Sequence, residues 1–217
     1  MLSTSTEILI AGAGPTGLAA ALVLANKGIA CRIIDKRVAP AQESRAQVMN
    51  PRALELLEPV GVAQKVLAES HSVHRTLFYK SWDRVAEIEF GHAHPRFPLS
   101  VLPQARSEAL LTEALGEHGI RPERGVALES FSQDGSGVMV TLLHADEQRE
   151  VARTRILLGA DGAHSRVRDT LGIAFEGSSF PEDWPLYDIE LNDPLDLESA
   201  HVRFAPSGMV LLLGIRP

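Results

Sequence analysis

The sequence predicts an α/β fold, and three observations carry that reading. A buried-strand pattern near the N-terminus runs into a glycine-rich turn, a helix and a second strand. Three strands joined by short polar connections follow in the middle of the chain, and strand patterns return beyond Gly172. With 217 residues, 45% hydrophobic and 23% charged, the chain is long enough to bury a core. Its 21 basic residues are outnumbered by 28 acidic ones, a net charge of −7, and no Lys/Arg-dense stretch offsets this. Nucleic acid is therefore not the expected partner. Cys31 is the single cysteine, so no internal disulfide forms and a reducing cytoplasm is the expected compartment.

Residues 8–25 carry no charge, a length that could be taken for a membrane span or leader. Two features argue against this, and neither a span nor a leader is expected. Met1 to Thr6 contain no Lys or Arg, and Gly12, Gly14, Pro15, Thr16 and Gly17 cluster breakers in one window. A strand, a tight turn and a helix account for all of them. Glu7 to Ala11 reads as the strand, and a helix runs from Pro15 to about Lys27 with Leu18, Ala21, Leu22 and Ala25 on one face. Gly28 stops it, and Ile29 to Ile34 form a second buried strand that ends in Asp35, 18 positions after Gly17.

That arrangement is the fingerprint of a dinucleotide-binding unit, whose acidic residue is expected about 20 positions on. Gly12 permits the turn, Gly14 lets the backbone approach a pyrophosphate, and Gly17 allows helix and strand to pack closely. The helix opening at Pro15 and Thr16 offers unpaired N–H groups and a positive dipole end to phosphate. Asp35 can accept from ribose hydroxyls. Lys36 and Arg37 could serve a 2′-phosphate, but Asp35 in front of them would repel one. They read better as a solvated strand end, with Lys36 kept beside Asp35 in the cofactor-binding set. The fingerprint alone leaves NAD, NADP and FAD open.

Further along, Asn50-Pro51-Arg52 is a helix start. Val73 to Tyr79 and Val85 to Phe90 suggest a hairpin about Ser81-Trp82-Asp83, and a helix is expected from about Gln104 to His118, stopped by Gly119. Val126 to Phe131, Val138 to Leu143 and Glu150 to Leu158 form the meander. It leads to Gly159-Ala160-Asp161-Gly162, unlike the continuing βαβ repeat of a nicotinamide dehydrogenase. Leu186 to Leu191, Ala200 to Phe204 and Met209 to Ile215 are expected strands.

Three separated motifs then resemble the class A flavoprotein monooxygenases, the FAD-dependent aromatic hydroxylases typified by para-hydroxybenzoate hydroxylase. They are Gly12-Ala13-Gly14-Pro15-Thr16-Gly17 with Asp35, then Ser44-Arg45-Ala46 with Pro103-Gln104-Ala105-Arg106-Ser107-Glu108, and Gly159 to Arg168 in a D-G-x-x-S-x-x-R pattern. The resemblance implies a Rossmann-like FAD-binding domain with a β-meander (residues 1–70 and 100–171) and part of a β-sheet substrate domain (71–99 and 172–217). It implies that Arg45 reaches the FAD pyrophosphate and the passing nicotinamide cofactor, that Gln104 contacts the ribityl chain, and that Asp161 and Arg168 serve both FAD and NAD(P)H. An Arg fork suits phosphate, and an amide can both donate to and accept from sugar hydroxyls.

The implied chemistry is hydroxylation of a phenolic or polyketide-like aromatic by O₂ through a flavin hydroperoxide, with NAD(P)H as transient co-substrate. No catalytic acid or base is assigned, because the cofactor carries the difficult steps. Two other readings stay open: a flavin oxidoreductase of the same fold that does not hydroxylate, and a catalytically inactive FAD-binding or assembly fragment. The second follows from a departure. The family's downstream Gly-Asp pair occurs nowhere in these residues, so the chain is expected to be the N-terminal portion of a hydroxylase, with weak FAD retention. The terminal run Val210 to Leu213 is expected to favour self-association.

His71, His74, His92 and His94 form two close pairs, but without nearby Cys or suitably spaced carboxylates no metal site is expected. Cys31 reads as a small core residue.

Overall fold

The computed structural model describes residues 3–40, 47–192 and 195–215. The first strand, β1 (Ser3–Ala11), starts earlier than expected. It is followed by α1 (Pro15–Asn26), which buries Gly17, Leu18, Ala21 and Leu22 and ends where Gly28 takes φ +70°. Then come β2 (Cys31–Asp35), β3 (Val48–Met49) and α2 (Pro51–Leu57). Asn50 caps α2 through its side chain, accepting the Ala53 N–H at 2.9 Å. After α3 (Ala63–Glu69) the chain forms β4 (His71–Val73), β5 (Arg75–Lys80), β6 (Asp83–Glu89) and β7 (Leu99–Val101). The long helix α4 (Gln104–Glu117) leads to β8 (Glu123–Arg124) and the meander of β9 (Val126–Asp134), β10 (Gly137–His144) and β11 (Arg149–Gly159). A short α5 (Arg166–Thr170), β12 (Ser199–Ala205) and β13 (Gly208–Leu213) complete the order.

The chain divides into two compact units, Met1–Glu43 with Ser107–Asp183, and Ser44–Arg106 with Trp184–Pro217. The breaks expected from the sequence were after residues 70, 99 and 171. The first unit holds a six-stranded sheet in the order β8-β2-β1-β11-β10-β9. Its first four strands are parallel, and β10 and β9 return antiparallel as the meander. Ile8, Leu9, Ile10 and Ala11 are all buried, which fits a central strand covered on both faces and explains its unbroken apolar run. Leu9 and Ile34 pack with Val126, Val138, Val140, Leu142 and Ala152 of the meander.

Arg32 lies beside Leu9 in register and forks to two acids. Its guanidinium meets Glu123 at 2.7 Å and Glu150 at 2.6 Å, and Glu150 also lies 2.9 Å from His144 Nε2. A half-buried guanidinium needs such pairing to stay charged without loss of stability, and the two carboxylates push its pKa up. This network ties β2, β8, β10 and β11 together.

The second unit holds a four-stranded sheet, β13-β12-β5-β6, and a three-stranded one, β3-β7-β4. The β5–β6 hairpin turns at Ser81, whose φ is +54°. One expected strand is absent: Leu186 to Leu191 adopt no regular structure, and Leu186 and Ile189 are each 63% exposed. Their alternation of apolar and acidic residues fits a strand face, but a strand also needs a partner edge, and alternation says nothing of that. No helix among the described residues is long and apolar enough to cross a membrane.

Candidate cofactor-binding site

Register alone gathers two of the three motifs at one edge of the parallel sheet. Ala11 is paired on one side with Ile34 and on the other with Gly159. The residues that follow these three strand ends, Gly12-Ala13, Asp35 and Ala160-Asp161, therefore meet. Gly12 N–H donates to the Ile34 carbonyl at 2.8 Å, and Ala160 N–H donates to Ala11 at 2.8 Å. β2, β1 and β11 run parallel, so all three end at the carboxyl edge of the sheet, where open α/β sheets bind ligands.

The three glycines divide the work by packing. Gly12 has φ +106°, and a β-carbon there would overlap the Ala160 carbonyl. A β-carbon on Gly17 would overlap the Gly12 carbonyl. Gly14 is different: its backbone is extended (φ −80°, ψ −177°), and a β-carbon would meet nothing within 4 Å. So Gly12 and Gly17 make the turn compact, while Gly14 faces open space in front of α1. Pro15 and Thr16 are exposed at that end. Among the described residues no side chain caps α1, and its first N–H groups and dipole are left for an anion.

Asp35 is buried beside this turn. Its Oδ2 accepts the Ala13 N–H at 2.8 Å and its Oδ1 the Arg37 N–H at 2.8 Å. The Arg37 guanidinium adds two bonds at 3.1 Å, and Arg124 lies 3.4 Å from Oδ2. Burial alone pushes the carboxyl's pKa up, but the hydrogen bonds from Arg37 and Ala13 outweigh it and hold the group below 3.8. Arg124, paired with Asp35 in the β2–β8 register, was missed from sequence because the two-residue β8 leaves no periodic signal.

The loop after β11 is built otherwise. Asp161 accepts from Ser165 Oγ at 2.5 Å, Arg166 N–H at 2.6 Å and Val167 N–H at 3.2 Å, and Ser165 Oγ accepts Arg168 N–H at 3.0 Å. The D-G-x-x-S spacing is thus a capping arrangement that closes the N-terminus of α5. Arg168 folds back on its own loop, donating to the Ala163 carbonyl at 2.9 Å and to Asp169 at 3.0 Å, with Phe175 under its guanidinium. Gly159 admits Val167, whose side chain a β-carbon would meet at 2.8 Å.

Lys36 is exposed just past β2. Gln104 is the first residue of α4 and belongs to the second unit, so the cradle's geometry neither includes nor excludes it. Arg45 lies outside the described residues. His94 pairs with Glu55 at 3.2 Å, and the described residues contain no group of three metal-ligating side chains. Cys31 opens β2, half-buried, with its thiol pKa pushed up by burial.

Residues 5–211 match the FAD binding domain family. The chain is 33% identical over 184 residues to pentachlorophenol 4-monooxygenase of Sphingobium chlorophenolicum, covering 83% of this chain and 34% of that protein. It is 34% identical over 210 residues to 6-methylpretetramide 4-monooxygenase of Streptomyces rimosus, covering 95% and 37%. Among solved structures, the flavin-dependent monooxygenase PieE, in complex with FAD and substrate, superposes with a TM-score of 0.77 at 30% identity, covering 82% of this chain and 34% of that one. The chain spans about a third of the length of the curated relatives it matches. The likeness to the class A FAD-dependent aromatic hydroxylases read from the motifs is borne out, and the chain belongs to the FAD binding domain family.

Proposed function

We propose that the chain binds FAD and forms the cofactor-binding part of an NAD(P)H-using monooxygenase that hydroxylates a phenolic or polyketide-like aromatic with O₂. The observation that carries the reading is the uncapped N-terminus of α1 facing the open side of Gly14, with an ionised, buried Asp35 beside it. That combination fits an anionic pyrophosphate joined to a ribose. In this reading the N–H groups after Gly14 bind the pyrophosphate, Asp35 orients the adenosine ribose, and Lys36 sits at the rim. Arg45 and Gln104 take the pyrophosphate and ribityl roles that the family assigns them.

Asp161 acts through α5: it fixes the loop that presses on Gly12, and so positions the turn. Arg168 is held on that loop for the same purpose. When bound, FAD supplies the redox and oxygen-transfer chemistry. The protein's share is to bind, orient and keep water away, and no side chain here is given a proton-transfer role. The relatives' names, a chlorinated phenol and a polyketide, support the substrate class. The four-stranded sheet β13-β12-β5-β6 is read as part of the substrate-binding region, and residues 1–70 and 100–171 as the cofactor domain. A cytoplasmic setting, with neither nucleic acid nor membrane as partner, completes the reading.

The test is direct. Purified protein titrated with FAD should quench flavin fluorescence, and reconstituted protein should oxidise NAD(P)H faster when a phenol is added. Peroxide and hydroxylated product, measured together, report how far transfer is coupled. Absence of FAD binding at micromolar protein would sink the proposal. Binding without phenol-stimulated NAD(P)H oxidation would leave the cofactor assignment and remove the hydroxylase.

A further inference from the structure

We propose that Arg37 is a latch on the ribose position of the cofactor cradle: its guanidinium occupies the Asp35 oxygens that the adenosine ribose needs, and FAD enters as that side chain swings aside. The inference rests on the FAD reading above and concerns what the cradle does before the cofactor arrives.

A carboxylate offers about four acceptor positions. Asp35 has filled them. Oδ1 accepts the Arg37 N–H at 2.8 Å and Arg37 Nε at 3.1 Å. Oδ2 accepts the Ala13 N–H at 2.8 Å and Arg37 Nη2 at 3.1 Å, with Arg124 Nη1 a further 3.4 Å away. A ribose hydroxyl, which must donate to one of these oxygens, finds no free position.

The donors differ in what they can yield. Ala13 N–H belongs to the glycine turn, and Arg37 N–H to the chain leaving β2. Arg124 is held in β8 with 16% of its side chain exposed, whereas 38% of the Arg37 side chain is exposed. Only the Arg37 guanidinium can leave without unmaking the sheet edge. The buried Glu108 adds attraction that favours its inward position.

Simple charge makes the opposite prediction. FAD carries a negative pyrophosphate, so removing a nearby cation should weaken its binding. A latch must instead give tighter binding when removed. Arg37→Ala keeps the backbone N–H bond to Oδ1 and frees one acceptor position on each oxygen. Breaking a half-exposed pair of this kind corresponds to roughly two- to fivefold in an equilibrium constant.

The experiment is flavin-fluorescence titration and stopped-flow association of FAD with the 217-residue chain and with Arg37→Ala, Asp35→Ala and the double variant. Thermal melts establish that each is folded. Arg37→Ala should bind FAD about two- to fivefold more tightly than the parent, through faster association. In the Asp35→Ala background the Arg37→Ala change should have no effect. Binding by Arg37→Ala that is equal to or weaker than the parent's overturns the latch and leaves the FAD reading standing. A gain that persists without Asp35 overturns it too. Failure of every variant and of the parent to bind FAD overturns the FAD reading itself, and the latch with it.

Discussion

Two loops leave adjacent parallel strands and enter helices at the same sheet edge, yet they are built on opposite plans. The loop from β1 uses glycines, and the helix it enters has no side-chain cap. The loop from β11 uses Asp161 and Ser165 to take up the N–H groups of Arg166, Val167 and Arg168. A helix terminus satisfied by its own chain has little left for a ligand. The difference is the ground for proposing α1 as the binding end and the second loop as the brace that holds the glycine turn in shape.

Substitutions can break this contrast in a graded way. Gly12→Ala should have the largest effect, because the added methyl overlaps the Ala160 carbonyl and the residue must keep φ +106°. A loss of about 3 kcal/mol or more is expected, read as a lowered denaturant midpoint. Asp161→Ala comes next, at about 1–2 kcal/mol, since three donors lose their acceptor. Hydrogen exchange should show protection lost at Arg166 and Val167 first.

Asp35→Asn should cost about 1 kcal/mol at neutral pH and change the acid limb of the stability profile. The sign follows from the lowered pKa. A carboxyl held below 3.8 in the folded chain stabilises it fully above the unfolded value and loses that contribution as pH falls through the lowered one. The parent's stability should thus fall more steeply below about pH 4 than the variant's. Equal slopes would mean that the Arg37 and Ala13 bonds do not favour the ionised form.

Gly14→Ala should change stability least. Nothing stands within 4 Å of the added methyl, and the backbone is already extended, so the melting point should stay within a degree or two. FAD affinity should nevertheless fall about tenfold or more, because the methyl occupies the approach to the α1 N–H groups. A variant that binds FAD normally would show that the pyrophosphate lies elsewhere.

The dinucleotide turn, the long helices and the meander were legible because each carries its own period or breaker. Leu18, Ala21 and Leu22 repeat as a helix does and are buried, and the Val138, Val140 and Leu142 alternation is buried as a strand's inner face should be. What escaped depends on partners. The two-residue β8 exists only through its pairing with β2, and Leu186 to Leu191 have the pattern of a strand without a partner edge. His118, expected to be the last residue of α4, lies exposed past the helix end. At the site, the acid and the glycines could be read from spacing. That Asp35 binds the Ala13 N–H, and that Asp161 caps α5, depends on hydrogen bonds that no spacing rule encodes.

The pairing of β1 with β11 joins residues 3–11 to residues 149–159. The glycine turn thus leaves the ribosome long before the carbonyl that packs against Gly12, which comes from Ala160. Closing so long a loop precedes any gain from the contacts it makes, and such pairings form slowly. During translation the cradle's components therefore wait, exposed, for most of the cofactor domain to emerge. Competence to take up FAD should arise in a single late event rather than grow with chain length.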